Sequence, residues 1–467
     1  MNVSIEFLGG AGTVTGSKHL IRIGFRNVLL DCGLFQGLKE LRLQNWEGLP
    51  IANHEIDAVV LSHAHLDHSG YLPRLVKHGY KGPIYCTQAT ADLLKILLMD
   101  SAKLQEEDAL FAKKKGFSKH KDPLPLYDQE DALAVFPLLS IAPFNSLIEI
   151  LPDIKIRFQY AGHILGAASV ELKIKGDEQE KTIVFSGDLG HHHDPLLFPP
   201  VKLPYADVIL VESTHAMRDI PYEEAHDQLS QAINETLARK GIPIIPAFSV
   251  GRTQDILIML KDLMFGKMIP EVPIYMDSPM ATAATEIYAR YPELLKVDMR
   301  DIDNDPSFKV LRRNLRIIHS ASESKALNSI SEPCIMLSAS GMLTGGRVLH
   351  HLYNRLPIAE NAVILVGFQP VGTRGRNLLN GDPTIRIFGQ EVAANAKVYN
   401  IKAMSAHADR DELRDWLSGF SDKPKIAFAV HGEEDNLNSL QHLMEKEFGW
   451  NAVVPKRGMN YAIFEGI

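Results

Sequence analysis

From Met1 to Glu212 the chain runs in short apolar, β-branched stretches broken by glycine and aspartate: VSIEFLGG, NVLLDCG, DAVVLSH, IKIRFQYAGH, TIVFSGDLG and DVILVES. Such runs, bounded by turn-forming residues, predict strands, and several of them end on a polar side chain. Residues 89–135 break the rhythm. There ATADLLKILLMDSAKLQEEDALFAKKKG carries apolar positions at helical spacing and a basic end, which predicts a helical elaboration on one side of a sheet. After Glu212 helix and strand alternate: a helix near 222–240, the strand GIPIIPA, a helix from Arg252, the strand VPIYMD, a helix from Pro279, then the strands CIMLSAS and AVILVGF around a helix near 346–355. Alternation of this kind predicts a parallel, three-layer α/β domain. From about residue 397 strands return in KVYNIKAMSAH and KIAFAVHGE, each leading into a helix. The change of rhythm divides the chain: 1–212 and 405–467 form one domain, and 213–404 interrupts it.

Length agrees with that division, since 467 residues at about 150 per domain predict two to three domains. The N-terminal MNVSIEFLGG reads as a first strand and not as a basic and apolar leader, and no uncharged apolar run approaches the roughly 18 residues of a membrane span. Cys32, Cys86 and Cys334 are odd in number, far apart and without ligand spacing, so free core thiols and a reducing cytoplasm are expected. A net charge of −8 argues by itself against a nucleic-acid partner. Its distribution weakens that argument: residues 213–404 hold 21 Lys and Arg against 20 Asp and Glu, and Lys309, Arg312, Arg313, Arg316 and Lys325 face only Glu323 as an opposing charge. A basic lining and an ordinary solvated helix face account for those five residues equally well.

The stretch Ser62-His63-Ala64-His65-Leu66-Asp67-His68-Ser69-Gly70 follows a strand and packs four potential metal ligands into six residues. In a chain with 19 histidines, H-x-H-x-D-H arises by chance in about one of several hundred such sequences. A tight turn after the strand can aim His63 and His65 at one ion and leave Asp67 and His68 for a second. Three further residues share the setting of a strand running into a polar turn: His163 after IKIRFQYAG, Asp188 after TIVFSG and His431 after KIAFAV. Singly, each has an ordinary explanation as a cap or a satisfied polar group. Jointly they supply what the opening motif lacks, because two ions of four or five ligands need about seven protein ligands with one shared, and a carboxylate can bridge. The expected sets are His63, His65, His163 and Asp188 on one ion, and Asp67, His68, Asp188 and His431 on the other. A two-metal site of this kind lowers the pKa of bound water to about 7 and clamps both oxygens of an in-line displacement at phosphorus. The leaving alkoxide still needs a proton; His407, in MSAHAD, is the candidate acid, with Glu212 fixing its orientation and tautomer. An ion pair for Glu212 and a helix-start position for His407 are the competing structural readings.

The ordered set LLDCG (Asp31), SHAHLDH, AGH-x-LGAA (His163), SGDLG (Asp188), VEST (Glu212), IPAFSVGRTQDIL, SAHAD (His407) and VHGE (His431) resembles, nearly end to end, the metallo-β-lactamase-fold nucleases that carry a β-CASP domain. It is similar to short prokaryotic RNA-processing nucleases and, more distantly, to the endonuclease subunit of the eukaryotic mRNA cleavage and polyadenylation complex. The resemblance implies an α/β fold, an αββα sandwich interrupted by a three-layer β-CASP insertion, with two zinc ions in the cleft between them. It implies that Asp31 supports the ligands from behind, that Glu212 and His407 are the acidic and histidine motifs flanking the insertion, and that Asp67 both binds metal and positions hydroxide. Aspartate at 188, where some β-lactamases have cysteine, favours a symmetric phosphoesterase site. His431, where DNA-directed members have valine, favours RNA.

Substrate contacts are expected from SASGMLTGGRVLHHL, where Ser338 and Ser340 precede a helix N-terminus, and from Arg374 and Arg376 in QPVGTRGRN, which would position a phosphate backbone without reading sequence. Turn residues and solvated arginines explain them equally well. His191, His192 and His193 follow the Asp188 loop and are expected not to be ligands. The activity expected is zinc-dependent hydrolysis of single-stranded RNA by hydroxide attack, leaving a 3′-hydroxyl and a 5′-phosphate. Endonucleolytic cutting is favoured because only 36 residues follow His431 and no RNA-binding module precedes the first strand. Alternatives are 5′-exonuclease action, a DNA-directed nuclease, thioester or lactam hydrolysis, and a silent RNA-binding paralogue. RNA is the expected partner, with a second copy of the chain as a further candidate.

Overall fold

The computed structural model describes residues 1–115, 123–177, 179–219, 222–299, 304–367, 369, 372–401 and 403–466. Residues 116–122 of the expected helical elaboration, Pro370 and Val371 of QPVGTRGRN, and Lys402 of KVYNIKAMSAH lie outside the described residues. Contacts divide the chain into two compact units: Met1–His192, Pro199–Asp219 and His407–Ile467 form the first, and His193–Phe198 with Ile220–Ala406 form the second.

The first unit contains two seven-stranded sheets. Alternation in VSIEFLG buries Val3, Ile5 and Phe7 on one face of the strand Val3–Gly9, which pairs antiparallel with Lys18–Ile23 in the register Ile5↔Ile21. That sheet continues through Arg26–Leu30 to Ala58–Val60 and Ile84–Cys86, which pair in parallel and are apolar throughout or nearly so. The second sheet runs from the hairpin of Ile154–Tyr160 and Ala168–Lys175 through Glu180–Phe185, Val208–Glu212 and Ile426–Val430, the last three pairing in parallel. One core fills the space between the sheets, with Phe7, Val28 and Val60 from one side and Phe158, Leu172, Phe185, Leu210 and Phe428 from the other. Outer helices complete an αββα sandwich: Gln88–Lys115 packs on the first sheet and Glu434–Lys446 on the second.

Phe7 and Phe428 meet across this core with ring centroids 4.9 Å apart. Truncating Phe428 leaves a cavity between the sheets only three residues before His431. The variant Phe428→Ala is expected to lose about 3–5 kcal/mol of unfolding free energy, read as a lowered denaturant midpoint.

The second unit has a six-stranded sheet in which the pairs are all parallel, in the spatial order Leu315–Ile317, Ile274–Asp277, Ile335–Ser338, Pro243–Pro246, Ala362–Leu365, Lys397–Asn400. Helices including Ala225–Ala238, Arg252–Phe265 and Val348–Arg355 connect these strands, as the alternating sequence predicts. A hairpin, Thr384–Ile387 with Gln390–Ala393, precedes the last strand.

Candidate metal centre

The site is assembled at strand ends in the first unit. The apolar strand Ala58–Val60 runs into His63 and His65, and the short helix Leu66–Ser69 presents Asp67 and His68. Parallel pairing of Glu180–Phe185, Val208–Glu212 and Ile426–Val430 sets three carboxyl-terminal ends side by side, so Asp188, Glu212 and His431 emerge together. His163 follows Ile154–Tyr160. Its loop can approach the Asp188 loop because residue 190 is glycine: a Cβ there would lie 1.9 Å from the carbonyl oxygen of Gly162.

Three overlapping groups of donor atoms result among the described residues, the third joining Asp188, Glu212 and His431. His63, His65, His163 and Asp188 bring one atom each within 4.8 Å of one another, and so do Asp67, His68 and His431. In the first group His65 Nδ1 lies 3.2 Å from His63 Nε2 and 3.1 Å from His163 Nε2, and Asp188 Oδ2 is 3.6 Å from both of those Nε2 atoms. In the second, His68 Nε2 and His431 Nε2 are 3.1 Å apart, and Asp67 Oδ2 is 3.8 Å and 3.6 Å from them. The other oxygen of Asp188, Oδ1, turns to this second group, 3.3 Å from His68 Nε2 and 3.4 Å from His431 Nδ1. One buried carboxylate therefore addresses both the first and the second group, one oxygen to each.

The residues fit divalent ions on the structure's own terms. Donors about 2.0 Å from a tetrahedral ion stand about 3.3 Å apart, close to the separations found. Asp188 Oδ1 is buried without a hydrogen-bond donor, a costly arrangement for a carboxylate oxygen unless a cation meets it. Three of the imidazoles are also held from behind. The buried carboxylate of Asp31 accepts from His68 Nδ1 at 2.6 Å and from the Ser62 backbone N–H at 2.8 Å, and it also receives the hydroxyls of Ser17 and Ser62. That bond keeps a proton on Nδ1, so in the neutral form of His68 the Nε2 lone pair is the one turned inward. Ser62 Oγ stands 3.0 Å from His63 Nδ1, and Thr214 Oγ1 stands 3.3 Å from His431 Nδ1.

Electrostatics follow from burial and crowding. Burial opposes ionisation of Asp188, but His431 and His68 beside it outweigh that cost and hold its carboxyl well below the usual range. Burial pushes the His63 imidazole well down, keeping it neutral and able to act as a ligand. Beside these groups stands a histidine–carboxylate pair. His407 Nδ1 is 3.1 Å from Glu212 Oε1, and the fully buried Glu212 also accepts backbone N–H bonds from Leu189 at 2.9 Å and Thr214 at 3.0 Å. Burial works against the charged His407 ring, but the Glu212 carboxylate outweighs it and pushes the pKa up to about 9.

Comparison with known proteins bears on the same residues. Residues 13–237 match the metallo-β-lactamase superfamily, 253–378 a β-CASP domain, and 391–455 a Zn-dependent metallo-hydrolase RNA specificity domain. The chain is 37% identical to Ribonuclease TTHA0252 of Thermus thermophilus over 93% of its own length and 94% of the relative's. This chain belongs to the β-CASP family of metallo-β-lactamase hydrolases. The β-CASP hydrolase is also 32% identical to Transcription termination factor FttA of Methanocaldococcus jannaschii, across 97% of this chain and 70% of that one. A solved structure from Enterococcus faecalis, of a protein of unknown function, shares the fold with a TM-score of 0.56 at 14% identity, covering 99% of this chain and all of the other. The candidate homodimer finds no support in these comparisons. Among the described residues, no helix is long and apolar enough to cross a membrane.

Among the described residues, the other histidines singled out and the expected substrate contacts fall in none of the donor groups. His191 is paired with Glu412 at 2.8 Å, His192 lies 3.8 Å from Asp415, and His193 is exposed in the second unit. Ser338, Ser340, Arg374 and Arg376 all belong to the second unit. Ser338 donates to the Asp277 carbonyl, and Ser340 Oγ accepts the backbone N–H of Thr344. The Arg374 guanidinium is committed to the carbonyls of Arg386, Leu343 and Thr344. Arg376, partly buried, follows the Thr373 cap of its helix. Sequence reasoning missed Ser17, Ser62 and Thr214, which steady the imidazoles, and His215, buried with its ring 5.7 Å from that of His407. Small hydroxyl residues beside a motif carry no signal of their own.

Proposed function

We propose that this β-CASP hydrolase is a ribonuclease that uses two zinc ions to hydrolyse phosphodiester bonds within single-stranded RNA. The observation that carries the reading is Asp188 with one oxygen turned to each of the first two donor groups, beside the His407–Glu212 pair. His63, His65, His163 and Asp188 would hold one ion, and Asp67, His68, His431 and Asp188 the other. Ions bound there supply Lewis-acid stabilisation of charge at phosphorus and a more acidic water.

The chain's own groups complete the reaction. Asp67 is the most exposed carboxylate of the cluster, and it orients the attacking hydroxide. As the oxygen–phosphorus bond forms, the bond from phosphorus to O3′ breaks, and O3′ takes the proton from His407 Nε2. Glu212 holds Nδ1, so the proton delivered is the one on the far side of the ring. The products are a 3′-hydroxyl and a 5′-phosphate. The match of residues 391–455 to an RNA specificity domain, with His407 and His431 inside it, supports RNA over DNA, as does the name ribonuclease carried by a relative that aligns over 94% of its length.

End-labelled single-stranded RNA, with and without a 5′-monophosphate, tests the activity and its mode together. Internal fragments independent of the 5′ end are expected, abolished by chelation and restored by zinc, and absent from Asp67→Ala. Stepwise release of mononucleotides from a 5′-monophosphate end would replace internal cutting by exonuclease action. Equal behaviour of the parent and Asp67→Ala would remove the ribonuclease reading.

A further inference from the structure

The hairpin of the second unit closes on two residues, Phe388 and Gly389, between the paired Ile387 and Gln390. Both loop residues have positive φ, 52° and 82°, as a type I′ turn requires. Asparagine is the favoured first residue of such a turn, and a bulky side chain in the left-handed region is an outlier. Here the outlier is a phenylalanine, and 53% of its surface is exposed. The sequence thus departs from local preference twice at one position, in backbone conformation and in hydrophobic exposure, which is where function is to be sought.

The surroundings of Phe388 indicate what it meets. His350, exposed on the helix Val348–Arg355, lies against the ring with centroids 4.6 Å apart and planes inclined by 36°. Tyr353, one position short of a helical turn further on, is 6.0 Å away and is tied to the hairpin by a 2.6 Å bond from its hydroxyl to Gln390 Oε1. Arg374 braces the strand through the Arg386 carbonyl at 2.7 Å. Three aromatic rings are therefore held in place by the fold, and the exposed cations Arg386 and Lys325 lie on the same two elements or beside them. Burial first, then His351 and Lys325, lower the His350 pKa, so its ring stays a neutral stacking partner. Fixed exposed aromatics with neighbouring cations are the means by which proteins hold single-stranded nucleic acid without reading its sequence.

We infer that Phe388, with His350 and Tyr353 behind it, is a stacking platform for an unpaired base of single-stranded RNA, and that Arg386 and Lys325 attract the adjoining phosphates. This inference rests on the ribonuclease reading for its choice of RNA and adds to it a contact remote in sequence from every candidate ligand.

The test is equilibrium binding by the full chain, carrying Asp67→Ala to prevent cleavage, with zinc present. The probes are a fluorescent oligouridylate and an abasic ribose-phosphate oligomer of equal length and charge. Phe388→Ala is expected to weaken binding of the oligouridylate about 5- to 150-fold, the effect of one lost stack, and to leave the abasic oligomer unchanged. Phe388→Trp should retain the affinity. Phe388→Asn restores the favoured turn residue, so it should raise Tm while losing the base-dependent affinity, which separates a binding defect from a folding defect. Oligouridylate binding that survives both Phe388→Ala and Phe388→Asn overturns the platform; so does an equal loss for both probes. A base-dependent loss in a chain whose unmutated form cuts no RNA would end the ribonuclease reading and leave the platform standing.

Discussion

Replacing Asp188 by alanine is expected to lower RNA cleavage by at least about a thousandfold and to reduce zinc at once in both of the groups proposed to hold ions. The expectation comes from the position of one side chain. Asp188 Oδ2 faces the two Nε2 atoms of His63 and His163, and Oδ1 faces His68 and His431, with no other donor to satisfy it. Any ion in the first group loses its only carboxylate, and any ion in the second keeps one, Asp67. Ion-supplied stabilisation of a phosphoryl transition state amounts to several kcal/mol, and each 1.36 kcal/mol is tenfold in rate. Asp188→Asn preserves shape and removes charge, so it should bind less zinc than the parent and more than Asp188→Ala. Zinc per chain by mass spectrometry and kcat on the same preparations decide the matter. If Asp188→Ala keeps the parent's zinc and cleaves within about tenfold of it, Asp188 is not a shared ligand.

Much of this arrangement was legible in the sequence because the strands that build the site are buried on both faces. Continuous apolar runs such as AVV and VILVE announce themselves, and the polar residue that ends each run is where the chain must leave the core. The alternation after Glu212 was equally plain, with helices beginning at Arg252 and Pro279. Strands with charged residues were harder to see. Lys18–Ile23 opens with a lysine that is buried; its ammonium is held by the Gly33 carbonyl and lies over the Phe35 ring. Ala168–Lys175 carries Glu171, also buried, which is opposite Arg157 in the ladder and receives two bonds from its guanidinium at 2.8 and 2.7 Å. In both cases a cross-strand or cross-loop partner absent from the local sequence makes the burial affordable. The same holds for residues 193–198. Their contacts group them with 220–406, because the Leu196 carbonyl accepts the Lys296 N–H and Leu197 bridges to Leu295, a hundred residues away.

The candidate donors were legible because few side-chain types can meet a divalent ion, whereas the residues that orient them were not, because a serine hydroxyl or a backbone amide serves as well as anything else. Asp31 shows both sides. Its place in LLDCG is visible, but its function depends on being within 2.6 Å of His68, and on a left-handed backbone, φ 57°, that turns the carboxylate back under the SHAHLDH turn. Only the fold supplies that geometry.

His407→Ala is expected to separate the two halves of the reaction. His407 lies outside the two groups proposed to hold ions, so zinc content should stay at the parent level. RNA cleavage should fall about 10²- to 10⁴-fold, the range contributed by a positioned general acid. The decisive comparison is with bis(p-nitrophenyl) phosphate. Its leaving group departs as a stabilised phenolate without a proton, whereas O3′ of ribose departs as a strongly basic alkoxide. If His407 supplies that proton, the defect on the activated ester should be far smaller than the defect on RNA. Glu212→Gln should show the same selectivity to a lesser degree. The amide can still take the Leu189 or Thr214 N–H, but it no longer holds a charge 3.1 Å from His407 Nδ1. Equal losses on the two substrates in both variants would instead make the pair a support for the shape of the site, since shape matters alike to a good leaving group and a poor one.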